Sequence, residues 1–134
     1  MSNSVATGVA YADPEFTTCY ASAEIGYSAA AQGTVTQLTD KTTAVTLNKS
    51  AGRITMNGAA LAGNTAVSFT LNNSLLSAND TVIVCISGGA TTGAYTSYVT
   101  SLTTGSAILT LRNLTGTSYS EAIVLNFAII HGAS

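Results

Sequence analysis

The hydrophobic positions of this chain fall into short runs separated by Gly, Asn, Ser and Asp. Residues 121–130, Glu-Ala-Ile-Val-Leu-Asn-Phe-Ala-Ile-Ile, hold the longest nearly unbroken apolar run, interrupted between Ala122 and Ile130 only by Asn126. If the run is extended, Ile123, Leu125, Phe127 and Ile129 share one face and Val124, Asn126, Ala128 and Ile130 the other. Both faces are largely apolar, which predicts a central strand, buried on both sides or covered by a neighbouring subunit. A helix fits less well: the segment lacks a capping signal, and Gly116-Thr117-Ser118 and Gly132 flank it.

From Gly33 onward the same texture predicts strands at 34–38, 44–47, 53–56, 66–71, 81–87, 94–102, 107–112 and 122–130. Val67, Phe69 and Leu71 alternate with Ser68, Thr70 and Asn72, as in a half-buried strand. Val82-Ile83-Val84-Cys85-Ile86 is apolar on both faces. Asn57-Gly58, Asn79-Asp80, Gly88-Gly89 and Gly105 mark turns. The single Pro, Pro14, lies outside every predicted strand. The expected fold is all-β, an antiparallel β-sandwich of jelly-roll type over residues 33–134.

Residues 1–32 differ in texture. They hold four of the nine aromatics, Tyr11, Phe16, Tyr20 and Tyr27, and carry Asp13, Glu15 and Glu24 but no Lys or Arg. No helical or strand period is clean. The segment reads as an irregular N-terminal arm, and these four aromatics are the candidate partner-binding residues, since Tyr favours interfaces. Asp13-Pro14-Glu15 interrupts any secretory apolar core, and no run approaches a membrane span. The expectation is synthesis in a cytoplasm from Met1, without secretion or membrane anchoring.

Charge sharpens the picture. Among 134 residues only 7% are charged, against roughly 25% in an average soluble domain. Thr, Ser, Ala, Asn and Gly take the place of charge, which suits a surface covered within an assembly. A net charge of −2, with Lys41, Lys49, Arg53 and Arg112 as the only Lys and Arg, argues against nucleic-acid and anionic-membrane partners.

Catalytic chemistry is sparse. His131 is the only histidine and reads as a strand-end residue partly in water. Cys19 and Cys85 have no metal-type spacing; Cys85 reads as a small buried hydrophobe and Cys19 as free. Residues 88–93 lack the Lys-Ser/Thr ending of a phosphate loop and read as a hairpin turn. The Asn-x-Ser/Thr matches at Asn48, Asn72, Asn79 and Asn113 carry no weight in so Ser/Thr-rich a chain. The scattered carboxylates nominate no acid pair. Glu121 and Asn126 are expected to hold neighbouring turns or strands by hydrogen bonds. No enzymatic activity and no cofactor are expected.

A set of motifs in order carries a resemblance. Gly33-Thr34-Val35-Thr36-Gln37-Leu38-Thr39, Val45 and Gly52-Arg53-Ile54-Thr55-Met56 open it. Residues 67–74, Asp80-Thr81-Val82, Glu121-Ala122 and Asn126-Phe127-Ala128-Ile129 continue it. Together they resemble a β-sandwich domain of tailed-bacteriophage virion structural proteins, over about Gly33 to His131. The chain departs where the family pattern often has Pro, here Ile123, and Lys, here His131. The resemblance implies a non-enzymatic virion protein, often a homotrimer. Without a shaft or a tip in this sequence, it most suits a capsid decoration, or cement, protein bound to the major capsid protein on the virion surface. On this reading the arm makes the attachment. The alternatives are a short tail-fibre or baseplate appendage that binds glycans, for which Tyr95, Tyr98 or Tyr119 would line a groove, and a hydrolase built around His131.

Overall fold

The computed structural model describes residues 15–133. Eight strands run in chain order: β1 (Gln32–Thr36), β2 (Val45–Thr46), β3 (Ala51–Thr55), β4 (Ala66–Asn72), β5 (Thr81–Gly88), β6 (Tyr95–Thr103), β7 (Ser106–Asn113) and β8 (Val124–Ile130). A single 3-10 turn, Ala29–Ala31, leads into β1. Each strand overlaps a predicted one.

The strands form two four-stranded sheets, β1-β3-β8-β5 and β2-β4-β7-β6. The chain is an all-β sandwich. Its sheets are mixed, not purely antiparallel: β1 runs parallel to β3, and β2 parallel to β4. The reason is the path of the chain. Only β6 and β7 are consecutive strands within one sheet; every other connection crosses to the opposite sheet. Two crossings return the chain running in its original direction, so β1 and β3 become parallel neighbours. An all-antiparallel double Greek key does not contain such pairs.

β8 occupies the interior position expected of it, paired with β3 on one side and β5 on the other. Its inner residues Leu125, Phe127 and Ile129 are buried, along with Ile123 just before it. They meet Phe69 and Leu71 of β4 and Ala107, Leu109 and Leu111 of β7 in one core. The other face of β8 is open within this chain: Val124, Asn126 and Ala128 are half-buried and Ile130 exposed. β5 is likewise one-sided, with Val82, Val84 and Ile86 packed against the core and Ile83 outward.

Each end of the sandwich is fastened by polar side chains that satisfy loop backbone groups, which the crossing loops leave without ladder partners. At one end the buried Lys41 ammonium donates to the carbonyls of Asn57 and Glu121. The Gln37 amide donates to Lys41 and Thr43 carbonyls and accepts from the Asn57 N–H. The Glu121 carboxylate accepts from the Thr91 hydroxyl at 2.6 Å and its N–H at 3.2 Å. Residues 88–93, expected as a hairpin turn, in fact lead the chain from the end of β5 across to β6 in the other sheet. At the opposite end the Asn73 amide donates to the Lys49 carbonyl, and Asp80 gathers the C-terminal residues.

Candidate functional site

Alternation along each strand sets which side chains reach the outer face of the β1-β3-β8-β5 sheet. The register aligns them in rows across the strands: Gln32, Ala51, Ala128 and Ile83, then Thr34, Arg53, Asn126 and Cys85. A third row holds Thr36, Thr55 and Val124. Arg53 is the only charged residue in these rows. Its Nε donates to the Asn126 amide oxygen at 3.4 Å, which also accepts from the Ser87 hydroxyl at 3.0 Å. Asn126 thus joins β3 to β5 across the apolar strand, and Glu121 holds the 89–94 segment, both in the structural role expected of them.

The arm meets the sheet at Tyr27. Its hydroxyl donates to the Ile129 carbonyl, and the Gln32 side chain donates to the Tyr27 carbonyl at 2.9 Å. Lys49 donates to the Ala30 carbonyl at 2.9 Å. Between this root and the sheet lies a groove of about 610 Å³. Tyr27, Gln32, Thr34, Arg53 and Asn126 line it, with Ala51 and Ala128 as a flat floor. Upstream of Tyr27 the arm leaves the domain: Phe16 is 67% exposed, Tyr20 92% and Ile25 89%. Of the four candidate aromatics, Tyr11 lies outside the described residues. Phe16 and Tyr20 are open to solvent, and Tyr27 is the anchored one.

Two features carry no mark in the sequence. Ile25 is an isolated apolar residue beside Glu24, with no period to mark it. Arg53 and Asn126 are 73 positions apart, and only the pairing of β3 with β8 brings them together.

Cys85 corrects an expectation: it is exposed, as is Cys19. Val82, Val84 and Ile86 take the inner face of β5 and turn Cys85 outward. The possible tyrosine groove also fails to form. Tyr95 is buried, its ring 6.1 Å from that of Tyr119, whereas Tyr98 points from the opposite face of β6. Burial first, and then the Glu121 carboxylate, push the Tyr95 phenol pKa upward.

His131 pairs with Asp80, Nδ1 to Oδ2 at 3.1 Å, with the imidazole about half exposed and the carboxylate enclosed. Asp80 also accepts from the Ser77 N–H at 2.8 Å, the Ser77 hydroxyl at 2.9 Å and the Gly132 N–H at 3.0 Å. The Ser77 N–H, foremost among these bonds, holds the carboxyl pKa down to about 2. Here the carboxylate sits between hydroxyl and imidazole. A nucleophilic triad places the imidazole between them, so this cluster is a clamp on the C-terminal residues, not a serine-hydrolase array. Among the described residues, no group of three or more His, Cys, Asp or Glu could hold a metal ion, and no helix is long and apolar enough to cross a membrane.

No family model, curated protein or solved structure matches this chain.

Proposed function

We propose that this protein is a non-enzymatic structural component of a bacteriophage virion: a decoration, or cement, protein that binds the outer surface of the capsid as a homotrimer. The observation that carries the reading is the pairing of a closed sandwich with an arm that the sandwich does not cover. Phe16, Tyr20 and Ile25 stand in solvent next to a domain with almost no charge. Such apolar groups gain stability only when another chain covers them, at roughly 25 cal/mol per Å² buried. The likeness of the strand motifs to phage virion proteins supports the same reading. The work done is adhesion: many copies would each add contacts between neighbouring capsomers and resist internal pressure.

The arm residues Phe16, Tyr20 and Tyr27, with Tyr11 upstream, are the partner-binding residues in this proposal. Binding to the major capsid protein rests on apolar contacts and hydrogen bonds, so it should depend weakly on salt. The test is to mix the purified protein with capsid shells that lack it and to sediment the shells at low and high ionic strength. Co-sedimentation that survives salt supports the assignment. Failure to bind at either ionic strength overturns it.

A second reading has its own observation. The Tyr27-Arg53-Asn126 groove offers an aromatic ring, a guanidinium and amides over a flat floor, a combination suited to a sugar. It would place the domain in a tail or baseplate appendage that binds glycans. A glycan-array signal abolished by Arg53→Ala, together with no shell binding, would favour this alternative.

A further inference from the structure

We propose that the outer face of the β1-β3-β8-β5 sheet is the seat for the arm of a second copy of this chain, with Glu24 of one copy against Arg53 of the other. The inference rests on the self-assembly part of the reading above and divides the arm: Tyr20 to Ile25 reach the neighbouring copy, and the exposed Phe16 stays free for the capsid.

The two surfaces are complementary in charge. Glu15 and Glu24 are the only charged residues between positions 15 and 28, and Arg53 is the only one in the three rows of the sheet face. Arg53 makes no ion pair among the described residues, whose one pair is His131 with Asp80. They are also complementary in apolar character. The face exposes Ile83 at 52% and Ile130 at 57%, and the arm exposes Tyr20 and Ile25.

The spacing agrees. From Arg53 to Ile83 is two strands across and one row along, a diagonal of about 12 Å at ordinary sheet spacings. From Glu24 to Tyr20 is four residues, at most about 13 Å of extended chain. Glu24 on Arg53 therefore lets Tyr20 cover Ile83. The groove at the root of the resident arm leaves Arg53 accessible from outside. Cys19, beside Tyr20, then lies near Cys85, beside Ile83 in the outward alternation of β5.

The two native thiols make the test direct. Isotopically light and heavy chains are mixed, treated with a flexible bismaleimide, digested and analysed by mass spectrometry, with light scattering run in parallel. The expected result is a mass above the monomer and Cys19–Cys85 cross-links that join light to heavy peptides. Arg53→Glu and Glu24→Arg should each weaken self-association about tenfold or more, and the double charge swap should restore it. Both positions are on the surface, so circular dichroism of each variant should match the parent. A monomer at all concentrations, cross-links only within single chains, or self-association indifferent to Arg53→Glu would each overturn the proposal. Absence of shell binding would overturn the capsid assignment alone and leave these results standing.

Discussion

Gly89 offers a test of how tightly the crossing segment between β5 and β6 is seated. Its φ is +71, and a Cβ there would meet the Ala122 carbonyl oxygen at 2.2 Å and the Ile123 Cα at 3.2 Å. Gly93 and Gly105 have similar φ values, +75 and +83, but nothing within 4 Å of an added Cβ. Replacing each by Ala separates conformation from space. The left-handed backbone costs about 1–2 kcal/mol in all three, offset by about 0.4–1 kcal/mol from a less free unfolded chain. Only at Gly89 does overpacking against backbone add about 1–3 kcal/mol more. The expected loss is therefore about 2–4 kcal/mol for Gly89→Ala and about 1 kcal/mol for the other two. In a domain of this size that is roughly 10 °C in Tm against roughly 4 °C. Urea and thermal unfolding followed by far-UV circular dichroism, at one fixed chain concentration, would measure it; the chain has no Trp to report by fluorescence. Equal losses for all three variants would refute the reasoning.

Leu125→Ala removes a fully buried side chain from β8 and should cost about 2–5 kcal/mol in urea unfolding, whereas Leu38→Ala, at an 83% exposed position, should cost less than about 0.5 kcal/mol. Asn113 is buried; its amide donates to the Leu61 and Thr117 carbonyls, and its oxygen accepts from the Thr115 N–H and hydroxyl. Asn113→Ala should cost about 1–3 kcal/mol by the same measurement. Asp80 has a folded pKa below its unfolded value, so its contribution is present above the ordinary carboxylate pKa and disappears as pH falls from about 4 towards about 2. In Asp80→Asn the urea midpoint should fall less steeply over that window than in the parent; parallel slopes would count against the clamp.

The strands were legible because their signal is local. Val67, Phe69 and Leu71 alternate with polar neighbours, and β4 buries that face as the alternation requires. In β5 the pattern gives no such choice: both faces are apolar, so the sequence alone does not reveal whether Cys85 or Val84 turns inward. Which sheet a strand joins is less legible still. Glycines before β6 look alike whether the chain makes a hairpin or crosses the sandwich, and the contact that fastens the crossing, Glu121 to Thr91, comes from thirty residues away. The groove was hidden for the same reason, since Arg53 and Asn126 become neighbours only through a pairing formed at long range. The arm was visible as a change of texture, but exposure at Ile25 depends on the arm leaving the domain just upstream of the anchored Tyr27.

Among the described strands β8 is the last in chain order, and it stands between β3 and β5. During synthesis, the sheet containing β2, β4, β7 and β6 has all of its strands once Asn113 has left the ribosome. The other sheet then exists only as β1 with β3 and a separate β5, each with an unpaired edge and an uncovered apolar face. It cannot close until Val124–Ile130 emerges to join β3 and β5. Emergence of β8 therefore gates closure of this sheet, and a chain cut short before residue 124 has two open edges ready to pair with other chains.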